Sequence, residues 1–419
     1  MKIENFNPAE LESRQQELLL GFNDFKAKKL SLDLTRGKPC PEQLSLSDEM
    51  DGILEGFYLL QDGTDVRNYG GLPGIPEARQ LGAKIMGIDS SHVMAGGNSS
   101  LTLMYNYIEH MLPRWRESSA NIKFLCPVPG YDRHFTICEH FDIEMICVPF
   151  VEDGPDMDEI FDLCSNDSAI KGIWCVPRYS NPTGHTYSTQ TVNRFAKLGN
   201  IAGADFRIMW DDAYAVHHLH DKPDRLSNLM LACEKAGTEN SVVMLSSTSK
   251  VTYAGAGIAF LGVSVTNLNA FEAFLIPQLI GFDKVNQLRH VRFLKDLEHI
   301  RAHMSKHSDI IRPRFELVEQ KLKDGLQGKD IASWTKPNGG YFVSLDTKAG
   351  IADKVIQLAS DLGVKLTPAG ATFPYGKDPE NRNIRIAPTF PSMEELSQAL
   401  DVLVLCVELA AIQHASDEN

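Results

Sequence analysis

The sequence predicts an α/β fold, with a large domain built on a doubly wound, mostly parallel sheet and a smaller α+β domain. Short apolar runs alternate with helical patterns from residue 93 to about residue 263. These runs are continuous rather than alternating, as in strands that are buried on both faces. The 419 residues are also too many for one simple core, which favours two domains. In such folds the functional sites lie at the strand ends.

The first half of the chain provides most of the predicted sheet. Asn7 and Pro8 combine a capping residue with proline at the first helical position, and they open a helix to about Leu30. A second helix is predicted from Pro76 to about Met86, after a loop-like stretch. The candidate strands are Ile122–Cys126, Glu144–Val148, Ile170–Val176, Phe206–Trp210, Ser241–Ser246 and Ile258–Val263.

The composition changes in the second half of the chain. Residues 284–326 have a long, charged, helical pattern, within which Pro313 predicts a kink or break. We expect an N-terminal segment (1–60) that joins the small domain, a large domain (61–300) and a C-terminal small domain (301–419). The elements predicted for the small domain are strands at Tyr341–Leu345 and Ile384–Ala387 and helices at Ala352–Leu362 and Met393–Ala411.

Composition narrows the class of protein. The net charge of −14 argues against nucleic acid as a general partner, because binding to its backbone needs a positive face. The N-terminus lacks the apolar region of a signal peptide, and no apolar stretch approaches the ~20 residues of a membrane span. The eight cysteines form no C-x-x-C pair, so we interpret them as reduced core residues of a cytosolic protein. His217, His218 and His220 are interpreted as surface residues, and no metal is expected.

A lysine at the end of a predicted strand is the first candidate for chemistry. Lys250 follows four small hydroxyl residues, Ser246 to Ser249, which leave room for a ligand. A lysine at the mouth of a buried strand loses hydration, which lowers its pKa and frees the neutral amine for carbonyl chemistry. Lys250 is therefore a candidate Schiff-base lysine, with a solvated surface lysine as the alternative.

Three loops at the ends of other apolar runs are further candidates. The stretch 96–100, Gly-Gly-Asn-Ser-Ser, precedes a helix, so its N–H groups and the helix dipole favour an anion such as phosphate, or it simply caps the helix. In P-V-P-G-Y, Tyr131 either lies flat against an aromatic ligand or is packed in the core. In the turn N-P-T-G, the amide of Asn181 is placed to donate to a phenolate oxygen.

Charged residues in apolar surroundings mark two more places. Asp211 and Asp212 end an apolar run, where carboxylates are costly unless paired or solvated. One of them is a candidate to hold a proton on a heterocyclic nitrogen that Tyr214 also reaches. Arg385 lies within a short apolar strand, where its fork suits either a ligand carboxylate or an internal salt bridge. Gly37 either brings backbone close to a ligand or forms only a turn.

The order of these motifs is more specific than any one of them. N-Y-G-G-L-P-G, a glycine/serine helix start, P-G-Y, N-P-T-G, D-D-A-Y, S-S-T-S-K and R-I-A follow one another between about residues 33 and 390. This series resembles the pyridoxal-phosphate-dependent aminotransferases of the aspartate aminotransferase fold, class I/II. It is most similar to stand-alone enzymes related to the catalytic domain of MocR-type regulators. The resemblance implies a seven-stranded sheet, a homodimer and pyridoxal 5′-phosphate as cofactor.

The resemblance also implies a role for each motif residue. Lys250 would form the Schiff base with the cofactor and then move the substrate Cα proton. Asp211 would pair with the pyridinium nitrogen, while Asn181 and Tyr214 would hold the phenolate oxygen and Tyr131 would stack on the ring. The phosphate would be bound by Gly97, Asn98, Ser99 and Ser247 and by Tyr69 of the other subunit, and the substrate carboxylate by Arg385, with Gly37 and Asn181 nearby.

One position departs from the family pattern. The family usually has G-x-R shortly after the lysine, and that arginine binds the cofactor phosphate. Here the stretch reads Gly255-Ala256-Gly257, so Gly257 stands in the place of the arginine. The phosphate charge must then be met by the helix N-terminus, by hydroxyls and by another cation.

The resemblance therefore predicts a cytosolic, homodimeric aminotransferase that moves an amino group between an L-amino acid and a 2-oxo acid, with no membrane partner. Aspartate and 2-oxoglutarate are the preferred pair. A dicarboxylate needs a second cation, for which Arg289 or Arg292 is a candidate unless both lie on a solvated helix face. The alternatives are a β-lyase or decarboxylase on the same scaffold, or a MocR-like ligand-sensing module.

Overall fold

The computed structural model describes residues 6–417. None of the helices in this range is both long and apolar enough to cross a membrane. The α-helices are α1 (Pro8–Ala27), α2 (Pro41–Ser45), α3 (Pro76–Met86), α4 (Ser100–Ser118), α5 (Asp132–His140), α6 (Met157–Asn166), α7 (Thr189–Phe195), α8 (Leu198–Ile201), α9 (Leu229–Ala236), α10 (Val265–Leu275), α11 (Lys284–Leu294), α12 (Leu297–Leu326), α13 (Ala352–Asp361) and α14 (Met393–Asp417). The strands are β1 (Leu32–Asp33), β2 (Val93–Ala95), β3 (Lys123–Val128), β4 (Glu144–Val151), β5 (Gly154–Pro155), β6 (Ile170–Cys175), β7 (Arg207–Asp211), β8 (Val242–Ser247), β9 (Ala259–Gly262), β10 (Ala332–Trp334), β11 (Val343–Thr347), β12 (Val364–Lys365) and β13 (Asn383–Ile386).

The largest sheet has the strand order β2-β9-β8-β7-β6-β3-β4-β5. Strands β8, β7, β6, β3 and β4 run parallel to one another, whereas β9 is antiparallel to both of its neighbours. The predicted doubly wound, mostly parallel sheet is confirmed. The sheet has eight strands rather than the predicted seven, because β5 adds an antiparallel pair of residues at the edge. Two residues are too few to produce a hydrophobic pattern in the sequence.

The sheet is buried on both faces, which explains the continuous apolar runs. All five residues of β7 are buried. Ile208 and Trp210 pack into the core on one face, while Met209 between them packs into the core on the other. Successive side chains of a strand point to opposite faces, so a strand covered by helices on both sides needs apolar residues at every position.

The N-terminal helix packs against the C-terminal elements. α1 begins with a capping box in which the Asn7 side chain accepts from the Glu10 backbone and the Glu10 side chain accepts from the Asn7 backbone. Its buried Leu11 and Leu18 share one core with residues of α12, α13 and α14. β1 pairs in parallel with β12. The domain boundaries at residues 60 and 300 stay a prediction.

The long helical stretch does not break at Pro313, so the predicted break is wrong, while a kink there stays a prediction. It divides instead between α11 and α12, where Lys295 has a positive φ of 55° and the Asp296 side chain caps the next helix by accepting from the His299 backbone. α12 is 30 residues long and continues through Pro313. Ile311, Phe315 and Val318 are buried around the proline, so the packing of this helix face offsets the hydrogen bond that proline cannot donate.

Candidate active site

A cavity of about 810 Å³ opens at the carboxyl ends of the parallel strands. The loops after β2, β3, β6, β7 and β8 all end at this edge, and the loop before α2 and the strand β13 complete the walls. Parallel strands bring their carboxyl ends to one edge, so motifs far apart in the sequence meet here. The predicted site residues that line the cavity are Gly37, Asn98, Ser99, Tyr131, Asn181, Asp211, Tyr214, Ser247, Lys250 and Arg385.

Two predicted residues lie outside this lining. The carbonyl of Gly97 accepts from the Ala259 N–H at 2.7 Å, which ties the loop after β2 to the neighbouring strand. Tyr69 is 85% exposed and lines a second cavity of about 260 Å³ together with Phe282 and Lys284. Its contact with the cofactor phosphate of another subunit stays a prediction.

Lys250 lies between aromatic rings. Its Nζ is 5.1 Å from the centre of the Tyr214 ring and 5.8 Å from that of Tyr341. Burial lowers the pKa of Lys250, and the charge of Asp211 opposes this effect only in part. The alternative of a solvated surface lysine is therefore wrong. A lysine with a lowered pKa supplies the neutral amine that attack on a carbonyl carbon requires.

The structure separates the roles of the two neighbouring aspartates. Asp211 lines the cavity, and its Oδ2 accepts from His134 Nε2 at 3.1 Å. Its Oδ1 is buried and has no hydrogen-bond partner among the described residues. Asp212 does not line the cavity, and its Oδ2 lies 3.6 Å from Nη2 of Arg178. Asp211 is thus the carboxylate that is available to a ligand in the cavity.

His134 is a site residue that the sequence interpretation missed. Its ring is 2% exposed and stacks on Trp174 with 4.2 Å between the centres and 8° between the planes. This stacking fixes the nitrogen that contacts Asp211. The available signal was its position three residues after Tyr131, one turn into the helix that follows a strand end.

The N-terminus of α4 provides an anion-binding end to the cavity. Ser99 is the capping residue, but its side chain makes no capping hydrogen bond, so its hydroxyl is available to a ligand. Asn98 Nδ2 donates to the carbonyl of Gly255 at 2.9 Å, and Ser249 Oγ donates to the carbonyl of Asn98 at 3.1 Å. These bonds lock the helix start to the lysine loop, where the helix dipole favours an anion.

Gly257 has no room for a side chain. A Cβ there would lie 2.9 Å from the backbone nitrogen of Ser249 and 3.0 Å from its Cα. Asn286 Nδ2 holds this stretch by donating to the carbonyls of Ala256 and Gly257 at 2.9 and 3.1 Å. The absence of the family's arginine is therefore part of how this loop packs against the residue before Lys250.

We expect Gly257→Arg to weaken cofactor binding, although it restores the residue that the family usually has. The new side chain forces Ser249 to move, and overpacking of this kind costs ~1–3 kcal/mol, or about 5- to 150-fold in affinity if the cofactor needs the original position of Ser249. Titration of the apoprotein with pyridoxal phosphate measures the effect. Gly257→Ala should give an intermediate loss, and tighter binding by Gly257→Arg would contradict this account.

Of the two alternatives for Arg385, the structure shows the internal salt bridge, and the binding of a ligand carboxylate stays a prediction. Its Nη1 donates to Asp132 Oδ1 at 2.9 Å and to Asn181 Oδ1 at 3.4 Å, so it does form an internal salt bridge. Its Nε is nevertheless buried without a partner among the described residues. The guanidinium lies 5.0 Å above the Phe342 ring, and a Cβ on Gly37 would come within 2.5 Å of the same ring. The glycine therefore allows the backbone to approach the Phe342 ring, while its approach to a ligand stays a prediction.

The extra cations of the cavity were not predicted. Arg36, Lys38 and Arg133 line it, whereas Arg289 and Arg292 do not. Arg289 Nε instead donates to the carbonyl of Met50 at 3.3 Å. Loop residues carry no periodic pattern, and the available signal was that Arg36 and Lys38 flank Gly37 and that Arg133 lies two residues after Tyr131.

One of the histidines interpreted as surface residues is buried. His217 is only 2% exposed, and neither of its ring nitrogens has a hydrogen-bond partner among the described residues. His218 is half-buried against the Tyr179 hydroxyl, 2.8 Å away, and His220 is exposed. The surface interpretation is wrong for His217.

Comparison with known proteins identifies the family. Residues 6–419 match the family model described as aspartate amino-transferase. An aspartate aminotransferase of Corynebacterium glutamicum is 42% identical over 99% of this chain and 97% of its own length. The chain belongs to the aspartate aminotransferase family. It is an aminotransferase, as the order of its motifs predicted.

Solved structures agree with this assignment. A crystal structure of an aspartate transaminase from Corynebacterium glutamicum matches this aminotransferase with a TM-score of 0.95 and 42% identity, covering 99% of each chain. LysN, an α-aminoadipate aminotransferase of Thermus thermophilus complexed with N-(5′-phosphopyridoxyl)-L-leucine, matches with a TM-score of 0.73 and 19% identity over 92% of this chain and 93% of its own. This more distant likeness shows the fold alone.

The residues of the cavity fit pyridoxal phosphate. The amine of Lys250 suits the aldehyde, and the unsatisfied Oδ1 of Asp211 suits a protonated ring nitrogen. A buried carboxylate oxygen without a partner is costly, and a cationic N–H group would remove that cost. The free hydroxyl of Ser99 at the start of α4 suits the phosphate. The aldehyde, the ring nitrogen and the phosphate of the cofactor thus each have a matching group in one cavity.

Proposed function

We propose that this aminotransferase is pyridoxal-phosphate-dependent and transfers the amino group between L-aspartate and 2-oxoglutarate. The observation that carries the proposal is the buried, unpartnered Oδ1 of Asp211 in the same cavity as the amine of Lys250. The bound cofactor supplies an electron sink for the bond that breaks at the substrate Cα. The remaining steps belong to the protein's own side chains.

In this proposal, Lys250 transfers the substrate proton and Asp211 holds the proton on the ring nitrogen of the cofactor. Lys250 holds the cofactor between turnovers, and its neutral amine then takes the proton from the substrate Cα and delivers it again. The lowered pKa of Lys250 makes that amine available. Asp211 keeps the ring nitrogen protonated through Oδ1, while His134 holds Oδ2 and thereby fixes the carboxylate plane.

Tyr214, Asn181 and Tyr131 orient the ring. Burial raises the pKa of Tyr214 well above its usual value, so its hydroxyl stays protonated and can donate to the phenolate oxygen. The Oδ1 of Asn181 is engaged by Arg385, which leaves its amide N–H groups for the same oxygen. Burial and the charge of Asp211 raise the pKa of Tyr131 to about 12, so Tyr131 also remains neutral as it covers the ring.

The charges around the cavity support a substrate with two carboxylates. Arg385 offers its unpartnered Nε to the α-carboxylate. Arg36 and Arg133 are exposed to the cavity, and none of the ion pairs found within residues 6–417 involves either side chain. A second carboxylate in a chain with net charge −14 needs such uncommitted guanidinium groups. We therefore place the side-chain carboxylate of aspartate at Arg36 or Arg133 rather than at Arg289 or Arg292.

Variants of these arginines test the choice of substrate. We expect Arg36→Gln or Arg133→Gln to lower kcat/KM for aspartate by about 10–100-fold, the equivalent of one charged hydrogen-bond pair, while kcat/KM for alanine changes little. Arg292→Gln, outside the cavity, is the matched control. An equal loss for aspartate and alanine in both variants would show that neither arginine reads the second carboxylate.

The reaction itself is tested with the holoenzyme, aspartate and 2-oxoglutarate. Stoichiometric oxaloacetate and glutamate support the proposal. Pyruvate and ammonia, or carbon dioxide, formed from the amino acid alone would indicate the β-lyase or decarboxylase alternative. A wider set of amino acids and 2-oxo acids in the same assay identifies the preferred pair.

We further propose a cytosolic homodimer, with Tyr69 reaching the phosphate of the partner subunit. Large apolar side chains that are well exposed are consistent with an interface between subunits, and five of them are between 59% and 85% exposed: Phe57, Leu59, Tyr69, Ile276 and Ile280. The Lys284 ammonium donates to the carbonyl of Gly70, so the segments that carry Tyr69 and Ile280 lie side by side.

All eight cysteines are free thiols, in keeping with a reducing compartment. The order of the motifs favours the MocR-like stand-alone subgroup within the family.

A further inference from the structure

Three aromatic rings form a triangle next to the Lys250 side chain. The centres of Tyr214, His217 and Tyr341 are 5.7, 5.7 and 6.0 Å apart. The Nζ of Lys250 lies within 6 Å of two of them. All three rings are buried, so the position of the amine depends on how these rings are held.

A buried hydrogen-bond network holds one corner of this triangle. The Nε2 group of Gln43 donates to the Tyr341 hydroxyl at 2.9 Å and to Nδ1 of His307 at 3.1 Å. Its Oε1 accepts from the Cys40 N–H at 3.2 Å. Gln43 is fully buried, and these three contacts engage both the Nε2 and the Oε1 atoms of its amide, as a buried amide requires.

The same network returns to the backbone beside Lys250. His303 Nε2 donates to the carbonyl of Val251 at 2.7 Å, and Nε2 of His307 lies 3.1 Å from Nε2 of His303. Burial lowers the pKa of His303, and it lowers that of His307 to about 4. Both imidazoles are thus neutral at neutral pH, which suits one donor at each Nε2.

These contacts reach Lys250 from two directions, through the ring of Tyr341 and through the carbonyl of the next residue in the chain. We propose that Gln43, His303 and His307 are positioning residues that hold the Lys250 amine in its reactive place. None of them lines the cavity, so they act through Tyr341 and Val251 rather than by touching substrate or cofactor. The proposal rests on the function proposed for Lys250, and it adds residues from α2 and α12 that the motif order does not contain.

Gln43→Met tests the proposal because it keeps the side-chain length and removes both donors. We expect kcat of the holoenzyme to fall about tenfold, as for one lost buried hydrogen bond, while KM for both substrates changes less than about twofold. His307→Leu should behave in the same way. His307→Asn keeps an acceptor at the position of Nδ1 and should restore most of kcat. A kcat that stays low in His307→Asn, or a loss expressed mainly in KM, would overturn the proposal.

A second measurement does not depend on the cofactor. In the apoprotein we expect amide hydrogen exchange of residues 249–254 to be faster in Gln43→Met and His307→Leu than in the wild type. Ser308→Ala is the matched control, since Ser308 is the next residue of α12 and its buried hydroxyl donates to the carbonyl of Leu219 instead, at 2.8 Å. Exchange no faster than in this control would refute the positioning role. An active Lys250→Ala variant would refute the proposed function, and the exchange data would still report on the network.

Discussion

Lys250→Ala is expected to lower the transamination rate by ~10⁴-fold or more, because the variant lacks both the amine that binds the cofactor and the base that moves the Cα proton. The same variant should lose the visible absorbance of the cofactor linked to the protein. The measurement combines steady-state rates with absorbance spectra of the purified, cofactor-loaded protein. Borohydride reduction followed by peptide mass analysis of the wild type should place the cofactor on Lys250.

The control for this prediction is Lys250→Arg, which keeps a positive charge. Because an arginine is never neutral in proteins, it should be as inactive as the alanine variant. Substantial activity in either variant would mean that another amine performs the chemistry. The lowered pKa of Lys250 and its place between Tyr214 and Tyr341 would then need a different explanation.

Asp211→Asn is expected to lower kcat by about 10²–10³-fold, the range observed when one preorganised electrostatic group is removed from an active site. The amide has nearly the shape of the carboxylate, and its one oxygen can still accept from His134 if it takes the place of Oδ2. It cannot, however, keep a ring nitrogen protonated. Steady-state rates measured with saturating cofactor separate this effect from weaker cofactor binding.

Asp212→Asn is the matched control, since the two aspartates are adjacent but only Asp211 lines the cavity. Burial and the charge of Asp211 raise the pKa of Asp212, so the loss of its charge should matter less. Asp212 pairs with Arg178 outside the cavity, so its loss should lower stability rather than the rate, and we expect less than about a tenfold change in kcat. Equal losses in the two variants would indicate a shared structural role and no pairing of Asp211 with the ring nitrogen.

Much of the fold could be predicted because its signals are local. A strand covered on both faces is apolar at every position, as β7 is, and a capping residue followed by proline begins α1. The candidate site followed from topology, since parallel strands bring residues at their carboxyl ends together. The motif residues at the ends of β3, β6, β7 and β8 accordingly line one cavity.

The rest of the site depends on contacts between distant parts of the chain. His134 and Asp211 are separated by 77 residues, and nothing local to either one signals the pair. His217 is buried although imidazole is polar, and only the assembled rings of Tyr214 and Tyr341 show why. The continuation of α12 through Pro313 likewise reflects tertiary packing, which outweighs the local preference of a single residue.

The ion pair between Arg385 and Asp132 also has a consequence for turnover. In the proposed binding mode, the substrate carboxylate contacts Nε of Arg385 while Asp132 stays at Nη1, so it meets a guanidinium whose charge is already partly neutralised. We therefore expect a weaker attraction for the carboxylate than an unpaired arginine would give. An enzyme that works by alternating half-reactions must let each product leave before the next reactant enters. The Asp132 carboxylate, by weakening the hold of Arg385 on a bound carboxylate, favours this departure.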